Sequence, residues 1–163
     1  MQVNSGKGKE MGKIDETDMK ILEELIQDAS LSVPKMSKKI KVNSSVLYSR
    51  IKRLTRRNLI KRFTVEVNEE LLGYNVGALV GANLDARLRE KAIEELMKIA
   101  DVRDISEVTG RYDIVMHIKA KSLDELHGTV TNKIGQVEGV KTTETFVEMR
   151  RRRRQSIYQL PQS

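Results

Sequence analysis

The sequence predicts an α+β chain in two parts, an N-terminal winged helix-turn-helix followed by a ferredoxin-like βαββαβ sandwich. Three observations lead there. Apolar residues recur at helical spacing in three short segments before Asn58, and after Gly73 the pattern switches to strand alternation. The charge changes sign along with the pattern: residues 1–65 hold 15 Lys and Arg against 7 Asp and Glu (+8), whereas residues 66–149 hold 10 against 16 (−6). A basic part followed by an acidic one points to two jobs, because only the first is drawn to a polyanion. Chance segregation of solvated charges is the plainer reading of the same counts.

Composition narrows the classes. With 39% hydrophobic, 33% charged and 4% aromatic residues, the 163-residue chain is that of a globular protein with an aliphatic core. No apolar run approaches the roughly 20 residues needed to span a bilayer, and the polar N-terminus lacks the apolar centre of a secretory signal, so no membrane partner is expected. The absence of cysteine excludes disulfides, thiolate metal sites and a cysteine nucleophile, and fits a cytoplasmic protein.

Residues 1–13 are polar and without apolar periodicity, and are expected to be a disordered leader. In the helix-turn-helix part, residues 14–62, Ile21, Leu22, Leu25, Ile26 and Ala29 mark a first helix, with Asp15, Glu16 and Asp18 at its dipole-positive start. Ser32 before Val33 and Pro34 signals a short second helix carrying Met36 and Ile40. Lys41 and Val42 make the turn. Asn43 is an N-cap for a third helix whose buried stripe is Val46, Leu47, Ile51 and Leu54, and Asn58 ends it. Residues 59–67 alternate and read as a β-ribbon or wing, with 63–74 as the ribbon linker.

Three helices with a tight turn before the third present that helix's outer face to a major groove. Arg50, Lys52, Arg53, Arg56 and Arg57 in the helix, with Lys61 and Arg62 beyond it, are candidate phosphate contacts; Ser44, Ser45, Tyr48 and Ser49 near its start are candidates for base edges. A charged face on a short helix is otherwise simply solvated.

These residues carry a resemblance. The run Ile14-Asp15-Glu16-Thr17-Asp18 with Ile21-Leu22 and Leu25, then Asn43 through Leu54 and Leu59-Ile60, resembles the DNA-binding half of the Lrp/AsnC (feast/famine) transcription regulators, and the likeness extends over nearly the whole chain. Two positions depart: Lys41 and Asn58 stand where that family usually has glycine. The resemblance implies a sensing half that pairs into homodimers, often stacked into an octamer, and that binds a small amino acid.

That half spans residues 75–149. Val76 to Leu84 alternates with small residues on one face; Ala92, Ile93, Leu96, Met97 and Ala100 mark a helix; Val102–Thr109 and Tyr112–Ala120 form a hairpin around Gly110-Arg111. Leu123, Leu126, Val130 and Ile134 line a second helix, and Gly139 precedes a last strand to Met149. One face of such a sheet needs cover, which a second copy would supply. Thr109-Gly110-Arg111-Tyr112-Asp113 resembles the family's effector loop, where Gly110 would allow close backbone approach and Asp113 would meet an ammonium group. A plain hairpin explains the same five residues. Thr143 and Thr145 offer hydroxyls to a ligand, or simply pack between strands.

His117 and His127 have no third ligand at metal spacing and no partners for a triad, and no phosphate-cradling glycine loop is present, so no enzyme and no cofactor beyond an amino-acid effector is expected. The basic tail, residues 150–163, opens with Arg150 to Arg154, a run that touches DNA, touches another subunit or is solvated. The leading function is a sequence-specific transcription regulator on double-stranded DNA. The competing one is an architectural protein that wraps DNA with little sequence preference.

Overall fold

The computed structural model describes residues 14–152 and Tyr158. The expected leader, 1–13, and Arg153 and Arg154 of the arginine run lie outside them. The chain divides into two compact units, with the boundary between Val65 and Glu66.

In the first unit, helix α1 runs Glu16–Gln27, α2 Val33–Ile40 and α3 Ser44–Arg56. Asp15 and Asp18 form a reciprocal capping box on α1: each side chain accepts the other's backbone N–H, which satisfies donors that a helix start leaves orphaned. The Asn43 side chain accepts the Ser45 N–H at 2.9 Å and so starts α3. Both departures from glycine adopt the left-handed backbone that glycine would supply. Lys41 sits at φ 55° with the Val42 N–H returning to the Ser37 carbonyl, and Asn58 at φ 61° with the Leu59 N–H returning to Leu54. The core is small: Ile21, Met36, Leu47 and Leu54 are fully buried, with Leu22, Leu25, Ile40 and Ile51 packed partly against them. Val46, expected in the buried stripe, is exposed, because it lies on the flank of α3 rather than beneath it.

The expected β-ribbon at 59–67 is not a strand within this chain. Residues 61–68 carry no regular structure, and a 3-10 turn spans Glu69–Leu72. A ribbon needs a second strand for its N–H and C=O groups, and none lies beside it among the described residues.

The second unit holds β1 (Val76–Leu84), α4 (Arg89–Met97), β2 (Val102–Glu107), β3 (Ile114–Ala120), α5 (Leu123–Gly128) and β4 (Val140–Val147). The sheet is antiparallel in the order β2-β3-β1-β4, the ferredoxin-like arrangement. Alternation divides its faces. Ala78, Val80, Ala82, Ile114, Met116 and Ile118 are buried against Ala92, Leu96, Leu126 and Ile134 of the helical layer. On the other face Leu79 is directly opposite Phe146 and His117, and both Leu79 and Phe146 are exposed. Met97 and Leu123, read as core-facing, are exposed at the ends of their helices.

Candidate nucleic-acid interface and effector loop

Three stripes of α3 do different work. Leu47, Ile51 and Leu54 face the core. Ser45, Tyr48, Ser49, Lys52 and Arg56, spaced so as to share one helical face, are all exposed. Lys61 and Arg62 are exposed beyond the helix, as is Arg57, while Ser44 is half-buried at the helix start.

Arg50 and Arg53 do not join the outer stripe, which corrects their expected place among the outward cations. Arg50 Nη1 donates to both Asp15 oxygens at 2.6 and 2.7 Å and to Asp18 Oδ1 at 2.9 Å. Arg53 Nη2 donates to both Asp18 oxygens at 2.7 and 2.8 Å. The Asp18 side chain is 1% exposed, so its charge depends on these partners. The Arg50 hydrogen bond, followed by that from the Asp18 backbone, holds the Asp15 carboxyl below the usual carboxylate range, and the hydrogen bonds to the Asp15 and then the Asp18 side chain raise Arg50.

In the sensing unit, Thr109 to Asp113 lie in the loop between β2 and β3, closed by the Val108 N–H on the Asp113 carbonyl. Gly110 is at φ 132°, and a Cβ there would meet nothing within 4 Å, so it is the backbone angle that calls for glycine in this chain. Asp113 is already engaged: it accepts the Leu84 N–H at 2.8 Å and Arg89 Nη2 at 2.6 Å. Arg89 also reaches Glu107 at 3.3 Å. Arg111, largely exposed, approaches Glu144 at 3.2 Å. Tyr112 lies over Gly81, its hydroxyl against Glu144 and its ring edge-on to Phe146.

Thr143 and Thr145 do not share that site. They stand opposite Ala82 and Val80, on the helix side of the sheet, whereas Glu144 stands opposite Gly81 on the open face with Tyr112. The sequence reading therefore missed Glu144, Gly81 and Arg89. A strand's faces alternate residue by residue, and without the register there was no way to choose between 144 and its neighbours.

His117 is buried on the open face, with Asp104 at 3.8 Å, Glu148 at 3.5 Å and Arg151 Nη1 at 2.7 Å. Among the described residues no three His, Asp or Glu are grouped to hold a metal ion, and no helix is long and apolar enough to cross a membrane.

A winged helix-turn-helix DNA-binding model matches residues 14–61 and an Lrp/AsnC ligand binding domain model matches residues 77–157. The transcriptional regulator FL11 of Pyrococcus furiosus is 34% identical over 139 residues, covering 85% of this chain and 91% of that protein. The chain belongs to the Lrp/AsnC family. It is a DNA-binding transcription regulator, and its family is one of regulators rather than enzymes. E. coli AsnC superposes with a TM-score of 0.82 at 26% identity, covering 88% of this chain and 97% of AsnC. The Neisseria meningitidis regulator NMB0573, solved with L-Met, superposes with a TM-score of 0.85 at 17% identity, covering 91% and 97%, and shares the fold.

Proposed function

We propose that this Lrp/AsnC member reads a two-fold-symmetric operator in the cytoplasm as a homodimer or a larger assembly of dimers, up to an octamer, and that a small amino acid at the 109–113 loop modulates it. The observation that carries the DNA half is the outer stripe of α3. In this reading the exposed Ser45, Tyr48 and Ser49, with Ser44 beside them, meet base edges, and the exposed Lys52, Arg56, Arg57, Lys61 and Arg62 meet phosphates. Two features favour assembly. Leu79 and Phe146 leave apolar area on the open sheet face, and Phe63, Val65 and Val67 alternate along a segment without a partner strand among the described residues, which a second copy would pair as the ribbon.

The effector reading is supported by the polar corner of Arg111, Tyr112, Asp113 and Glu144, which offers both charge signs to a zwitterion, and by the solved complex of the structural neighbour with L-Met. Thr109 and Gly110 would supply backbone to it; no other cofactor is proposed. The test selects preferred duplexes from random DNA, footprints the winner in excess competitor, and weighs the particle by sedimentation. A symmetric footprint from a dimer or its multiple supports the reading. Protection without sequence preference would favour the DNA-wrapping role, to which exposed Arg150–Arg152 would be suited. A thermal-shift screen of the common amino acids, repeated with Asp113→Ala, tests the loop; no shift from any of them removes the effector from the proposal.

A further inference from the structure

A four-residue ion network joins the start of α1 to the flank of α3. Two of the cations on the recognition helix are turned away from its outer stripe and held by carboxylates. Asp18 is 1% exposed and takes hydrogen bonds from both arginines; Asp15, more open, takes two from Arg50. Arg53 Nε is buried without a hydrogen-bond partner in the structure, so the stem of that side chain lies against the protein. Asp15 and Asp18 are also the two halves of the α1 capping box, which holds both carboxylates at the helix start independently of the arginines.

We infer that Asp15 and Asp18 limit sequence-independent affinity: they withhold Arg50 and Arg53 from the DNA backbone and fix the rotation of α3 so that its outer stripe alone meets the duplex. The physical basis is counterion release. Every arginine that reaches a phosphate adds affinity for any sequence, steepening log K against log salt by about 0.9, and adds nothing to discrimination. Cations near the groove that are prevented from touching it therefore lower the affinity and the salt dependence shared by every sequence, operator and random alike. Asp18 cannot lose both partners and remain buried and charged, which keeps the network closed while DNA is bound.

The inference rests on the reading that the outer stripe of α3 faces DNA, and the experiment separates the two. Full-length protein is titrated onto a scrambled duplex and onto the best duplex recovered by in vitro selection, across a salt series. Arg56→Ala should lower the salt slope by about 0.9, and Arg50→Ala should leave it unchanged, since Asp18 keeps Arg53 as partner. Asp15→Asn with Asp18→Asn should free both arginines, steepen the slope on scrambled and selected DNA alike by up to about 1.8, and tighten binding to both by up to about tenfold per freed arginine near 0.1 M salt. Loss of two carboxylates beside the DNA steepens the slope by itself, so the comparison of Arg50→Ala with Arg56→Ala carries the decision. If Arg56→Ala lowers the slope and Arg50→Ala lowers it equally, the withholding is refuted while the outer stripe stands; if neither changes it, the placement of α3 on DNA falls, and this inference with it. Should the double carboxylate variant fail to fold by circular dichroism, the comparison of Arg50→Ala with Arg56→Ala decides alone.

Discussion

Gly81→Ala should destabilise the sensing unit by about 1–2 kcal/mol, and Tyr112→Ala should abolish that cost. A Cβ built on Gly81 would stand 2.5, 2.6 and 2.8 Å from three atoms of the Tyr112 ring, where ordinary contact begins at 3.4 Å. The ring must withdraw by about 1 Å, and the backbone resists, because the Asp113 N–H is bonded to the Ala82 carbonyl and the Asp113 side chain to the Leu84 N–H. Withdrawal therefore means rotating the ring off Glu144 and Phe146. Overpacking of this kind costs about 1–3 kcal/mol, or, if the ring swings free, about 1 kcal/mol for the hydrogen bond and about 0.5–1.5 kcal/mol for the edge-on aromatic pair. Against this, alanine is preferred to glycine inside a strand by about 0.5–1 kcal/mol. With Tyr112→Ala in place the obstruction is gone, so Gly81→Ala should become neutral or stabilising, giving a coupling of about 2 kcal/mol. Urea unfolding followed at β1 and β3 amides by NMR reads all four corners of the cycle, with unchanged m reporting a pure stability effect. A neutral Gly81→Ala, or an equal cost with and without Tyr112, would refute the argument.

Leu47→Ala should cost about 2–5 kcal/mol in the first unit, whose fully buried apolar core among the described residues is only four side chains, and so remove DNA binding while β1 and β3 amides stay protected; loss of protection in both units at once would contradict it. Lys41→Gly should stabilise that unit by up to about 1 kcal/mol, because a left-handed lysine costs about 1–2 kcal/mol and glycine returns only part of this as chain entropy; a lowered unfolding midpoint would count against it. Acid should loosen both units only at low pH. The Arg50 hydrogen bond lowers Asp15, and at Asp101 burial pushes the other way but is outweighed by the Lys133 and Thr129 hydrogen bonds. Groups lowered by folding contribute stability above their ordinary value of 3.8 and lose it as pH falls through the folded value, so stability should hold from pH 7 to about pH 5 and decline below about pH 4. A decline setting in near pH 6 to 6.5, the ordinary histidine range, would assign the acid sensitivity elsewhere.

The parts of this molecule legible in its sequence are those whose cause is local. Helical spacing marks α1 to α3, the Asn43 cap marks the start of α3, and strand alternation around Gly110 and after Gly139 yields the βαββαβ order. What escaped depends on residues far apart in the chain. Arg50 and Arg53 are separated from their carboxylates by 32 to 35 positions, so nothing near residue 50 reveals that they are held. Thr143 and Thr145 were separated from Glu144 only by pairing register, which is set by β1. The alternation at 59–67 is genuine, yet alternation specifies a strand only when something supplies the other half of the ladder.

The stripes of α3 put three kinds of substitution on thirteen residues, and each should leave a distinct signature. Shortening Leu47 or Leu54 removes buried area and lowers stability without a change in the contacts made by whatever remains folded. Removing Lys52 or Arg56 from the exposed stripe leaves stability near its starting value and flattens the salt dependence, since a solvated surface cation contributes little to folding and about one released counterion to binding. Removing the carboxylates that hold the flank should do the opposite to the salt dependence, making the protein bind all DNA more tightly. The sequence-independent affinity of a basic helix can therefore be tuned by carboxylates on a neighbouring helix, without any change in the residues that read the bases.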